Sequence, residues 1–148
     1  MIRIAPLEES QFPATAKLLS SAFNIPAARN RQELENTYGG LTKIFAAARD
    51  GALLGVIRCH KFDNHLSISL LAVDDGARKQ GIGSHLVRHA EDFMQREWME
   101  NKETYISLED ATQRDNPASQ FYERLGYTPW AGMTGNDGLP MMYKWLKP

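Results

Sequence analysis

Between Leu71 and Leu86 the chain reads Leu-Ala-Val-Asp-Asp-Gly-Ala-Arg-Lys-Gln-Gly-Ile-Gly-Ser-His-Leu. An apolar strand runs into a polar turn, the turn becomes a basic, glycine-punctuated loop, and the loop opens a helix. That order suits a phosphate-bearing ligand, because a helix start presents unpaired backbone N–H groups and the positive end of its dipole. Gly81 and Gly83 remove side chains where a ligand must approach the backbone. Arg78 and Lys79 add positive charge beside it. Two nucleotide loops do not fit. The Walker pattern ends in Gly-Lys-Ser/Thr, and Gly83 is followed by Ser84 with no lysine. The dinucleotide fingerprint needs a third glycine three residues after Gly83, and Leu86 stands there. Cys59 and His60 have the types of a nucleophile and its base. As neighbours on a strand they point to opposite faces, so they make no dyad, and Cys59 reads as a small buried hydrophobe. His65 and His85, at a turn and on a helix, show no metal-ligand spacing, and no metal is expected.

The elements around this loop follow from periodicity. Met1 to Ile4 reads as a short strand ended by Pro6. Ser10 to Phe23 reads as a helix, with Ala16, Leu18, Leu19, Ala22 and Phe23 as its apolar stripe and Ser10 as a candidate N-cap. A second, polar helix is expected from after Pro26 to about Tyr38, stopped by Gly39-Gly40. Lys43 to Arg49 and Ala52 to Phe62 read as a hairpin across Asp50-Gly51. Leu54, Val56 and Arg58 are expected on one face of its second strand and Leu53, Ile57 and Cys59 on the other, with Gly55 marking a bulge. His65 to Val73 is a long strand, apolar on both faces near its end and therefore central. The helix after Gly83 carries Leu86, Val87, Ala90, Phe93 and Met94 on one side. Thr104 to Leu108 is a fifth strand, and Asn116-Pro117 opens a short helix closed by Gly126. Thr128–Trp130 and Met141–Leu146 form a closing antiparallel pair around a Gly/Asn/Asp/Pro-rich loop at 134–140. The expected fold class is α/β (α+β): a mixed, mostly antiparallel sheet of about seven strands flanked by about four helices, in one domain over residues 1–148.

Arg78-Lys79-Gln80-Gly81-Ile82-Gly83 resembles the R/Q-x-x-G-x-G/A signature of the GNAT N-acetyltransferase superfamily. The segment Asn116-Pro117-Ala118-Ser119-Gln120-Phe121-Tyr122-Glu123-Arg124-Leu125-Gly126-Tyr127 is similar to that family's second motif, and the element order fits along nearly the whole chain. The resemblance implies acetyl-CoA as acyl donor. Its pyrophosphate would rest on Lys79, Gln80, Gly81, Ile82, Gly83 and Ser84, with Arg78 adjacent. Its pantetheine arm would pair with the backbone of Leu71, Ala72 and Val73 like an added strand, in a slot where that strand splays from the next. Asn116 would hold the arm from the other side. Asn before Pro is also a good N-cap, and both roles stand open.

The implied chemistry is acetyl transfer from a thioester to a primary amine, directly, in a ternary complex. The amine must be neutral, the carbonyl oxygen needs a donor such as the backbone N–H of Leu71 or Val73, and the thiolate needs a proton. The resemblance gives the last task to Tyr122. For the base, alternation puts Tyr105, Ser107 and Glu109 on one face of the fifth strand, and Glu109 is the candidate, with Asp110, Asp74 and a water relay as rivals. The acceptor is expected to be a small molecule entering between the first two helices and the 134–140 loop. A protein or peptide acceptor and a non-catalytic acyl-CoA sensor are the alternatives.

Composition narrows the partners. In 148 residues, 43% hydrophobic and 24% charged, the formal net charge is −1, so there is no basic field and nucleic acid is not expected. A single cysteine permits no intrachain disulfide. No apolar run approaches the roughly 20 residues of a membrane span, and the N-terminus does not read as a signal peptide. A cytoplasmic protein is expected, and a homodimer through the C-terminal strands with Trp145 is compatible.

Overall fold

The structure is a computed structural model that describes residues 1–23, 41–77, 80–100, 102–110, 120–135 and 138–147. Seven strands form one sheet: β1 (Arg3–Pro6), β2 (Leu41–Arg49), β3 (Ala52–Lys61), β4 (Leu66–Val73), β5 (Thr104–Glu109), β6 (Thr128–Thr134) and β7 (Pro140–Leu146). Their order is β1-β2-β3-β4-β5-β7-β6. Every neighbouring pair is antiparallel except β4 and β5, which run parallel. The α-helices among the described residues are α1 (Phe12–Phe23), α2 (Ile82–Phe93) and the single turn α3 (Phe121–Arg124). This is the expected mixed, mostly antiparallel sheet. The expected helix between Pro26 and Tyr38 lies outside the described residues.

Each face of the sheet buries its own cluster. Under α2 lie Ile82, Leu86, Val87, Ala90 and Met94, packed with Phe45, Ala47, Ile57, Cys59, Leu66, Ile68, Ile106 and Leu108. The apolar positions of α2 recur at three- and four-residue steps, so one side of the helix is wholly internal. Its last turn widens into a π-turn over Met94–Trp98. On the opposite face Leu18 and Leu19 of α1 pack with Ala46, Val56 and Ala72. The entry to α1 differs from expectation. Ser10 sits inside a 3-10 turn, Glu9–Gln11, and the Gln11 side chain accepts from the Glu8 N–H at 2.9 Å.

The hairpin turn falls at Asp50-Gly51, both with positive φ, the backbone that a tight two-residue turn requires. Two bulges then break the alternation of the sheet. On β3, Gly55 pairs with Ala47 and Leu53 with Ala48, leaving Leu54 as an extra residue. Consequently Leu54 packs with Ile57 and Cys59, and Leu53 packs on the Val56 side. This reverses the faces expected for these two leucines, because an inserted residue shifts the two-residue period by one. On β4, Leu70 pairs with Arg58 and Ile68 with Cys59, so Ser69 is the extra residue.

Candidate active site

The site is built where β4 parts from β5. The two strands pair over only three residues, Leu66–Ile106, Ser67–Ser107 and Ile68–Leu108. β4 continues to Val73, and among the described residues no strand pairs with its outer edge beyond Ile68. Asp74 N–H bonds to Leu54 O on β3, so alternation turns Ala72 to β3 as well and leaves the backbone donors and acceptors of Leu71 and Val73 facing an open slot, suited to a ligand that adds itself as a strand. Ser69, the bulged residue, stands at the apex of this slot.

The far end of the slot meets the start of α2. Gly81 occupies the N-cap position with φ +78°, and no side chain caps the helix there. A Cβ on Gly81 would meet nothing within 4 Å, whereas one on Gly83 would stand 3.2 Å from the Phe121 ring and 3.8 Å from Val73. The last residue of β4 and the first turn of α2 thus adjoin, so a strand-like arm along β4 leads to free helix N–H groups. Ile82 is 1% exposed, so only its backbone faces the loop. Ser84 is half-buried and Gln80 exposed. Gln80 accepts a hydrogen bond from Arg49 Nη2 at 3.0 Å. Arg49, at the end of β2, is a cation beside the loop that sequence reasoning missed, since only the tertiary fold brings it there. Arg78, Lys79 and Asn116 lie outside the described residues.

Tyr122 is buried on the α2 side. Its ring contacts Phe121 and Tyr127 edge-on, with centroids 4.9 Å and 5.8 Å away. Burial, and then the charge of Asp110, push its phenol well above the ordinary tyrosine range, so the hydroxyl keeps its proton. The turn carrying Tyr122 is closed by a reciprocal pair of bonds, Tyr127 N–H to Tyr122 O and Gly126 N–H to Glu123 O, both 3.0 Å. Gly126 is thus the expected C′ residue of this helix. Tyr127 O–H donates to Glu91 Oε2 at 2.8 Å. Lys144 Nζ lies 3.1 Å from Glu91 Oε1 and donates to Leu125 O at 2.8 Å. Helix α2, the Tyr122 turn and β7 are tied together by these contacts.

Glu109, at the end of β5, is half-buried. Ile106 and Leu108 belong to the α2-side cluster, so alternation places Tyr105, Ser107 and Glu109 on the opposite face. The carboxylate of Glu109 lies directly over Gly135, in the β6–β7 turn, where any Cβ would run into it. Asp110 is buried, and its N–H donates to Pro140 O at 2.8 Å. Asp74 caps its own turn, accepting from Gly76 N–H at 3.1 Å.

On the α1-side face, behind the slot apex, stands a buried polar chain. Arg58 and His60 are 2% and 1% exposed. Arg58 Nε donates to Ser69 Oγ at 2.8 Å. His60 Nε2 is 2.5 Å from Ser69 Oγ, and its Nδ1 is 2.9 Å from Thr42 Oγ1. Burial, and then the charge of Arg58, lower the His60 pKa to about 4. Cys59, on the other face, is pushed up to about 12 by burial, and its thiol is inert.

The model of the acetyltransferase (GNAT) family matches residues 6–127. No curated protein matches the chain. Solved structures match over the whole length. An acetyltransferase of the GNAT family from Staphylococcus aureus has a TM-score of 0.79 at 18% identity, covering 99% of this chain and 100% of that one. An aminoglycoside 6'-N-acetyltransferase complexed with coenzyme A has a TM-score of 0.75 at 17% identity, covering 99% and 98%. The ribosomal-protein-S18-alanine N-acetyltransferase from Escherichia coli has a TM-score of 0.72 at 18% identity, covering 100% and 96%. At these identities the likeness is one of fold. Among the described residues no helix is long and apolar enough to cross a membrane. With the family model spanning the splayed strand, the glycine loop and the Tyr122 turn, the chain belongs to the GNAT acetyltransferase family, N-acetyltransferases that use acetyl-CoA.

Proposed function

We propose that this chain, as a single domain, transfers the acetyl group of acetyl-CoA to a primary amine of a small molecule, directly, within a ternary complex. The observation that carries this reading is the continuous path from the uncapped start of α2 along the open edge of β4 to Ser69. An arm anchored by its pyrophosphate on Gln80–Ser84, with Arg49, Arg78 and Lys79 adding charge, would bring its thioester to the apex. The backbone of Leu71–Val73 would hold the arm, with Asn116 opposite, and an N–H there would bond the carbonyl oxygen as charge develops. Tyr122 would protonate the departing thiolate. Glu109, on the acceptor side, would draw in the ammonium form of the acceptor and take its first proton. The Glu109 carboxylate lies against Gly135 of the β6–β7 turn, and this crowding supports the reading of a compact acceptor.

A peptide acceptor is the second reading, since the solved structures with this fold include a ribosomal-protein alanine N-acetyltransferase as well as an aminoglycoside enzyme. A CoA-release screen over polyamines, amino acids, aminoglycosides and peptides decides between them. Turnover confined to peptides would overturn the small-molecule assignment. No release with any amine, in a protein that still binds acetyl-CoA, would overturn amine transfer itself.

A further inference from the structure

Resting on the acetyl-transfer reading, we propose that Ser69, His60 and Thr42 form a proton relay that carries the acceptor's second proton away from the reaction centre. Two protons must leave the nitrogen of an ammonium acceptor. The first leaves before attack. The second leaves as the C–N bond forms and the C–S bond breaks, with the C–S electron pair going to sulfur, which takes its proton from Tyr122. The second proton needs an acceptor at the slot apex, on the face away from the cofactor's helix.

Ser69 meets that requirement by position. It is the bulged residue where β4 leaves β5, so its side chain departs from the alternation of its neighbours. It is exposed, yet its hydroxyl touches two buried side chains, Arg58 and His60. Arg58 Nε–H can only donate, so Ser69 Oγ accepts from it. The hydroxyl hydrogen remains for His60 Nε2. In the tautomer that the relay uses, His60 Nε2 accepts that hydrogen and Nδ1 carries the ring proton, 2.9 Å from Thr42 Oγ1. Both imidazole nitrogens are thus engaged in line, from an exposed hydroxyl at the slot to a half-buried one on β2, as a proton shuttle requires.

The transfer balances. The nitrogen gives its proton to Ser69 Oγ, and the serine proton passes to His60 Nε2. The Nδ1 proton passes to Thr42 Oγ1, whose own hydroxyl proton leaves to solvent, and Arg58 holds the serine oxygen while it is electron-rich. The ring returns to its first state by exchange with solvent, and Tyr122 is reprotonated. Burial and the charge of Arg58 keep the His60 ring neutral near pH 7, so a proton taken at one nitrogen is released at the other and not stored.

The test reads the ring directly. Imidazole ¹⁵N shifts give the tautomer of His60 in the labelled protein, assigned by the signals lost in His60→Gln. The relay requires the Nδ1–H form near neutral pH in the wild type and in Ser69→Thr, and a mixed ring in Ser69→Ala. With water as the probe acceptor, CoA release from acetyl-CoA should fall about a hundredfold in Ser69→Ala, at the low end of general acid–base effects, and recover in Ser69→Thr. The melting shift produced by acetyl-CoA should persist in all three. An Nε2–H ring in the wild type overturns the relay, and so does Ser69→Ala releasing CoA at the wild-type rate. A wild type whose melting temperature acetyl-CoA leaves unmoved fails the acetyl-transfer reading instead, and the tautomer still judges the relay.

Discussion

Phe121 lays the edge of its ring against Gly83, with Cζ 3.2 Å from where a Cβ would stand. One residue belongs to the glycine loop and the other to the turn that carries Tyr122. The contact therefore joins the two segments whose spacing in sequence is most diagnostic. Gly83 has two jobs here, packing and ligand approach, and they can be separated.

Gly83→Ala adds a helix-favouring residue worth about 0.5–1 kcal/mol and crowds the Phe121 ring, so the two effects offset. The melting temperature should stay within a few degrees of wild type. The added methyl also intrudes on the helix start, so the acetyl-CoA-induced rise in melting temperature should shrink. Gly83→Val should lose both stability and binding. If Gly83→Ala keeps the full ligand-induced rise, the glycine serves packing alone.

The Glu91–Lys144–Tyr127 cluster predicts a destabilisation that can be repaired. Lys144→Met leaves the Glu91 carboxylate, whose side chain is 12% exposed, without its cation, and should cost about 2 kcal/mol, since the pair is partly buried. Glu91→Gln combined with Lys144→Met should recover most of that loss, because no charge is then left behind and the amide oxygen still accepts from the buried Tyr127 O–H. Urea midpoints of the two variants check this. An equal loss in both would mean that the cluster acts by shape rather than by charge.

The strands and turns along the chain were legible because they rest on local rules: alternation for strands, Asp50-Gly51 for a hairpin, Gly126 for a helix end. The bulges were not equally legible. Gly55 marked one on β3, but not that Leu54 is the inserted residue, so Leu53 and Leu54 exchange faces. Nothing in Ile68-Ser69-Leu70 marks the bulge on β4, which is set by how β4 pairs with β3 across Arg58 and Cys59. The polar chain behind the slot was hidden for the same reason. His60 was judged against its sequence neighbour Cys59, whereas its partners come from β2 and β4. Likewise the Arg49–Gln80 contact spans 31 residues, beyond any periodic pattern.

The acid limb of stability should report His60. Its pKa is lowered from the ordinary 6.5 to about 4, so folding favours the neutral ring. The resulting stabilisation is fully present above pH 6.5 and is lost as pH falls through 6.5 toward 4. His65 and His89 are lowered by burial in the same direction, so the wild-type slope is shared. Denaturant midpoints measured across this window should fall less steeply in His60→Gln than in wild type. Parallel slopes would mean that His60 ionises in the folded protein as readily as in the unfolded chain.

Glu109 and Gly135 make the last prediction. No Cβ fits at Gly135 while the Glu109 carboxylate lies over it, so Gly135→Ala must displace either the side chain or the β6–β7 turn. Neither group touches the start of α2, and acetyl-CoA should raise the melting temperature as in wild type. Turnover of an acceptor found by the amine screen should fall, and it should fall in Glu109→Gln as well, where the carboxylate charge is lost with little change in shape. The two losses should not add, since both remove the same group from the same place. Additive losses in the Gly135→Ala/Glu109→Gln double variant would mean that Gly135 shapes the acceptor mouth by itself, independently of Glu109.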